Sequence, residues 1–186
     1  MKILTKFGIV LMVCSAALFT SCEEDDDDNM QQAELTLYQK VGGTTMVSDP
    51  ANSGAMIEQG RLSFRAVVDS SIFVIAGDTA MQPFFTVLLS EVGNGNLSGF
   101  AALSQSLTDF FVVAAGAKNY TYTGLSMKNA HDPAVNSRMA LKADNAAFDA
   151  FVADVVIGAQ QNGVSNDIIQ EVGALLETLR GDIVQK

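Results

Sequence analysis

Two apolar stripes at helical spacing, set end to end near the C-terminus, limit the fold of this chain more than any other feature. Phe148, Phe151, Val152, Val155, Val156 and Ala159 share one helical face. Asp144 is a plausible N-cap for that helix, and Asn162-Gly163 is a stop signal. A second stripe follows almost at once: Ile168, Ile169, Val172, Leu175, Leu176, Leu179 and Ile183. Helices joined this tightly pack antiparallel. A third stripe, Phe100, Leu103, Leu107, Phe110, Phe111 and Ala114, ends at Gly116. Upstream, Ile57 to Ala76 reads either way. Phe64, Val67, Val68, Ile72 and Ile75 fit a helix, whereas Ser71-Ile72-Phe73-Val74-Ile75 alone fits a buried strand. Helix is preferred, because no second strand is evident to pair with it. Loops are expected at 44–53, 91–96, 118–124 and 132–142. The reading is an all-α domain of about four main helices.

The N-terminus reads as a processing signal. Lys2 and Lys6 precede an apolar run, Phe7 to Phe19, that is too short to span a bilayer core of roughly 30 Å. Thr20-Ser21-Cys22 resembles the lipobox of bacterial lipoproteins, with Phe19 standing where Leu is usual. That resemblance implies a signal peptide over 1–21 and lipid on Cys22. Glu23, Glu24 and Asp25 to Asp28 follow. Six like charges repel and cannot pack, so 22–36 reads as a lipidated Cys and an acidic tether. Such a stretch also resembles the one that sends some Gram-negative lipoproteins to the outer face of the outer membrane. The expectation is an exported, membrane-tethered protein of the outer membrane, exposed at the cell surface.

Removing 1–21 takes away two lysines and no acid, so the formal charge moves from −10 to about −12. The phosphate backbone would repel so acidic a domain, which argues against nucleic acid as a partner. The chain has two cysteines; Cys14 leaves with the signal and Cys22 would be acylated. The domain over 37–186 then has no disulfide, thiol nucleophile or cysteine metal site, and its core must hold it.

His131 is the only histidine. It closes the segment from Ser126, which Ser126 can cap and Asp132-Pro133 breaks. Zinc needs several protein ligands, and neither a second His nor a free Cys is available. Haem is different: one neutral imidazole can hold its iron if an apolar cavity buries the porphyrin.

Leu37-Tyr38-Gln39-Lys40-Val41-Gly42-Gly43 resembles the opening of the truncated haemoglobins, group I, and so does Gln82-Pro83-Phe84-Phe85 after the second helix. The segment Tyr122-Thr123-Gly124-Leu125-Ser126-Met127-Lys128-Asn129-Ala130-His131 resembles the family's run into the proximal histidine. Phe148-Asp149 and the stretch from Gly163-Val164 to Ile183-Val184 fit its last two helices. The resemblance implies a shortened globin fold, a two-over-two helical sandwich, with haem b between the layers and its iron on His131. Lys128, one turn earlier, would be placed to reach a haem propionate.

Three stretches depart from the family pattern. The connection after Gly43 is longer by about a dozen residues, so 44–60 reads as an inserted loop. Asp132 to Asn136 lacks the glycine-containing stretch that usually follows the proximal histidine. On the distal side, counting back from Pro83-Phe84-Phe85 puts Ile72 at the usual Tyr position, with Phe73 its neighbour if the register shifts by one. Counting back from Gly116 puts Leu107 at the usual Gln position and Leu103 one turn earlier, while Phe110 keeps the usual aromatic. Ser71, Ser104 or Thr108 would supply a donor only in another register. The expectation is a membrane-anchored haem protein that binds a diatomic gas such as oxygen in an apolar distal pocket. A surface haem carrier, haem-based nitric-oxide or peroxide chemistry, and a haem-free structural module are the alternatives. No redox partner is evident from the sequence.

Overall fold

The computed structural model describes residues 34–186. The signal segment 1–21, Cys22 and most of the acidic tether lie outside the described residues. The order of elements is α1 (Leu37–Lys40), β1 (Met46–Ser48), β2 (Met56–Glu58), α2 (Gln59–Gly77), α3 (Thr86–Gly93), α4 (Ser98–Ala114), α5 (Met127–Ala130), α6 (Asn145–Gln161), α7 (Asn166–Glu177) and α8 (Arg180–Ile183), with a 3₁₀ turn at Gln82–Phe84.

A capping box starts α1. Thr36 Oγ1 accepts from the Gln39 N–H at 3.2 Å, and Gln39 Oε1 accepts from the Thr36 N–H at 2.9 Å. The turn seats Tyr38, 2% exposed, in the core. Gly42 and Gly43 then take φ of +115° and +52°, a bend that side chains with a Cβ rarely allow.

The inserted stretch 44–60 is not all loop. Strands β1 and β2 form an antiparallel hairpin with Val47 opposite Ile57, so Ile57 and Glu58 belong to a strand and the helix begins only at Gln59. Ser71 to Ile75, the segment that alone fits a strand, lies inside α2 as expected. Three-residue strands are too short to show a period of two in sequence. Asp49 folds the hairpin tip, accepting from the Ala51 N–H at 2.9 Å and Asn52 Nδ2 at 3.1 Å. Its ion pair with Arg65 Nη2, at 2.7 Å, pins the tip to α2 and, with those bonds, holds the carboxyl down at about 2.

Helix α2 buries Phe64, Val68, Ile72 and Ile75, spaced as one helical face. It packs on α4 and on α6, and α6 packs on α7. That arrangement is the two-over-two layering. Tyr38 stacks on Phe64 at 6.5 Å and Phe64 on Phe111 at 6.2 Å, an aromatic column linking α1, α2 and α4. Each such pair adds about 0.5–1.5 kcal/mol beyond the area it buries. Phe148, Val155, Leu176 and Ile183 complete the core from α6, α7 and α8.

The last stripe is two helices rather than one. Thr178 Oγ1 bonds back to Leu175 O at 2.6 Å, and the Leu179 N–H closes on Leu176 O, tightening and ending α7. Arg180 then ties α8 to the start of α6. Its guanidinium lies 4.2 Å from the Phe148 ring centroid and bonds Asp149 Oδ1 at 2.7 Å. Helix α3 covers part of a stretch read as loop.

Candidate functional site

His131 is the C-cap of the single turn α5. Ser126 starts that turn by accepting from the Asn129 N–H at 3.3 Å. The imidazole Nδ1 lies 2.8 Å from Met127 O. A carbonyl only accepts, so Nδ1 carries the proton and donates it, leaving the lone pair on Nε2. Nε2 has no protein partner among the described residues. Burial lowers the imidazole pKa, outweighing the bond to Met127, and so holds the ring neutral.

The loop after His131 lacks glycine and folds by side-chain bonds instead. Asp132 Oδ1 accepts from the Ala134 N–H at 3.0 Å, and the Asp132 carbonyl accepts from the Asn136 N–H at 2.8 Å. Asn136 Nδ2 donates to Ala130 O at 2.8 Å while its Oδ1 accepts from the Arg138 N–H at 3.1 Å. One asparagine therefore fixes Arg138 relative to the histidine turn. The Ala140 N–H donates to Phe84 O at 3.0 Å and docks the loop on the 3₁₀ turn.

His131 lines a cavity of about 420 Å³ bounded by parts of α2, α3, α4 and the C-terminal helices. Its walls are overwhelmingly apolar, and its size falls within the range of about 300–1,000 Å³ common for small-molecule sites. Ile72, Leu103, Leu107 and Phe110 all line it. The last three stand at i, i+4 and i+7 on one face of α4. Phe110 meets Tyr122 edge-on at 5.6 Å. Lys128 is exposed and does not line the cavity; its backbone carbonyl accepts from Gln185 Nε2 at 2.8 Å. Phe73, 68% exposed, touches the cavity at its edge and packs on Phe100 at 5.2 Å. A smaller apolar cavity of about 50 Å³ adjoins and shares Ile72 and Leu107.

Ser71, Ser104 and Thr108 do not line the main cavity. Ser71 Oγ donates to Val67 O at 2.8 Å, Ser104 Oγ bonds Asp69, and the buried Thr108 hydroxyl has no partner among the described residues. The polar groups on the wall are others: Ser106, Tyr122, Asn136 and Arg138. The Tyr122 hydroxyl is committed to Leu125 O at 2.8 Å. Ser106 was legible in principle, since it sits three residues after Leu103 on the same face of α4. Asn136 and Arg138 lie in a loop with no periodicity to reveal them.

Among the described residues no three His, Cys, Asp or Glu side chains come together as metal ligands. A metal on His131 would therefore find no such cluster of side-chain ligands among the described residues, whereas a porphyrin brings four nitrogen ligands of its own. The residues fit haem: a desolvated neutral imidazole with a free Nε2, on the wall of an apolar cavity of suitable size.

No protein-family model matches the chain, and no curated protein matches it in sequence. Solved structures do match. Truncated haemoglobin from Tetrahymena pyriformis, in its Fe(III) form, superposes with a TM-score of 0.58 at 21% identity, over 82% of this chain and 100% of that one. The 2/2 haemoglobin from Synechococcus sp. PCC 7002, in the cyanomet state and with covalently attached haem, gives a TM-score of 0.55 at 22% identity, with the same coverage of both chains. The cavity wall carrying His131 thus belongs to a chain with the fold of the truncated, two-over-two haemoglobins.

Proposed function

We propose that this chain is a haem protein of the group I truncated type, that His131 Nε2 holds the iron of haem b, and that the site binds a diatomic gas such as oxygen. The observation that carries the reading is the histidine's bonding. Nδ1–H is spent on Met127 O at 2.8 Å, so the ring is oriented and its free lone pair is on Nε2. Bound haem would supply an iron with an open coordination position for the gas. The chain's own residues do the rest. Met127 O orients the ring and raises its basicity, while burial keeps it unprotonated. Ile72, Leu103, Leu107 and Phe110 line the cavity with apolar side chains that disfavour water. None of these four carries a hydrogen-bond donor on its side chain, which favours reversible binding over oxygen activation. The group I assignment is supported by the Tyr122 to His131 segment and the Gly42-Gly43 turn. Haem held by coordination rather than by thioether is supported by the cysteines, both of which precede residue 34.

We further propose that the domain is exported and anchored by lipid on Cys22 in the outer membrane, facing outward. The basic start, short apolar run, Thr20-Ser21-Cys22 and acidic tether support that placement. Titration of the purified chain with haemin tests the haem reading. A Soret band that saturates at about one haem per chain is expected; binding no stronger than to an unrelated acidic helical protein would overturn it.

A further inference from the structure

The cavity that would take the porphyrin is apolar, yet haem b carries two carboxylates. Arg138 is the one Lys or Arg side chain on its wall among the described residues. It is half exposed, as a residue at a rim would be, and Asn136 fixes its backbone to the histidine turn. Its present partner is poor. Arg138 Nε lies 3.5 Å from Glu91 Oε1, long for a charge-assisted bond. The other oxygen, Glu91 Oε2, is buried beside Gly99, with no hydrogen-bond partner among the described residues. A planar guanidinium with five donors, held this loosely, is free for a better carboxylate.

We propose that Arg138 is the propionate anchor of this site and that Glu91 is a placeholder, its loose pair with Arg138 exchanged for a haem carboxylate on binding. This rests on the haem reading above. It gives the loop that lacks the family's glycine stretch a role: Asn136 bonds the histidine turn with its side-chain amide and the Arg138 backbone with its carbonyl, so the iron ligand and the anchor move as one unit. It also assigns to Arg138 what the sequence suggested for Lys128, which is exposed away from the cavity.

The test uses the full chain in mild detergent, loaded with haem or with haem dimethyl ester, whose carboxylates are masked. Transfer to excess apomyoglobin reads the dissociation rate. Arg138→Met should lose haem about two- to fivefold faster than wild type, the modest factor due to a half-exposed ion pair. Arg138→Lys should fall between. Wild type and Arg138→Met should release the ester at the same rate. Glu91→Gln should release haem no faster than wild type. Equal haem loss from wild type and Arg138→Met would overturn the anchor and leave the haem reading standing. So would ester loss accelerated as much as haem loss, because the arginine would then be structural. Accelerated haem loss from Glu91→Gln would overturn the exchange. No Soret band with either porphyrin would remove the haem reading itself, and the anchor with it.

Discussion

Substitution of Gly158 tests how closely the two helical layers must approach. At Gly158 a Cβ would stand 2.2 Å from Ser71 Oγ, 2.8 Å from Ser71 N and 2.9 Å from Ser71 Cα. The hydroxyl can turn away, but the backbone atoms of α2 cannot, so Gly158→Ala must push α2 and α6 apart. Gly173 on α7 is the control, since a Cβ there meets nothing within 4 Å. Alanine is favoured over glycine in a helix interior by about 0.8–1.0 kcal/mol. Gly173→Ala should therefore stabilise by roughly that amount. Gly158→Ala gains the same propensity but also overpacks, at a cost of about 1–3 kcal/mol. Propensity cancels in the comparison, and the gap between the two variants should be about 1–3 kcal/mol. Adding Ser71→Ala should recover only part of it. The assay is guanidinium unfolding followed by far-UV circular dichroism. Gly158→Ala within about 0.5 kcal/mol of Gly173→Ala would show that the layers have slack at this crossing, and the packing argument would fail.

Oxygen should leave the haem-loaded chain fast, because Ile72, Leu103 and Leu107 offer no donor on the cavity wall. Ile72→Tyr should slow release about tenfold to a hundredfold, the equivalent of about 1–3 kcal/mol, in stopped flow; slow release in the wild type would point to Ser106 or another donor. Acid should displace haem only below the ordinary imidazole pKa of 6.5, because burial lowers that of His131. The sign follows: below 6.5 the unfolded chain takes up the proton that the folded one resists, so apo stability falls as pH drops from 6.5 to the depressed native pKa. Absorbance at the Soret maximum and apo-chain melts across pH 4–8, a span about His titration, check both. Cys22→Ser should leave the precursor uncleaved or release the protein from membranes, and unchanged fractionation would exclude lipid at Cys22.

Much of the scaffold was legible because its signals are local. Asp144 caps α6 as expected, accepting from the Ala147 N–H at 2.9 Å, and Gly163 takes a φ of +69° just beyond its end. Ser126 likewise starts the histidine turn. The break at Thr178 was not legible, because Leu175, Leu176, Leu179 and Ile183 keep one stripe across it. The hairpin was hidden by its brevity and by Met46 and Met56, apolar residues that stay more than half exposed. The wall of the cavity divides in the same way. Leu103, Leu107 and Phe110 lie on a helix whose period points them together, whereas Arg138 reaches the site through the side-chain bonds of one asparagine. No spacing rule in sequence encodes such a bond.

His131→Gly, with and without imidazole, tests the central claim most directly. The variant deletes the ring and leaves Met127 O, the cavity and the fold in place. If His131 holds the iron, it should lose the wild-type ferrous and ferric spectra and bind haem far more weakly. Imidazole at about 10 mM, added as a soluble ligand of ordinary basicity, should restore both. A variant that keeps wild-type haem affinity and spectrum without imidazole would place the iron on another residue, and the site described around Nε2 would be wrong.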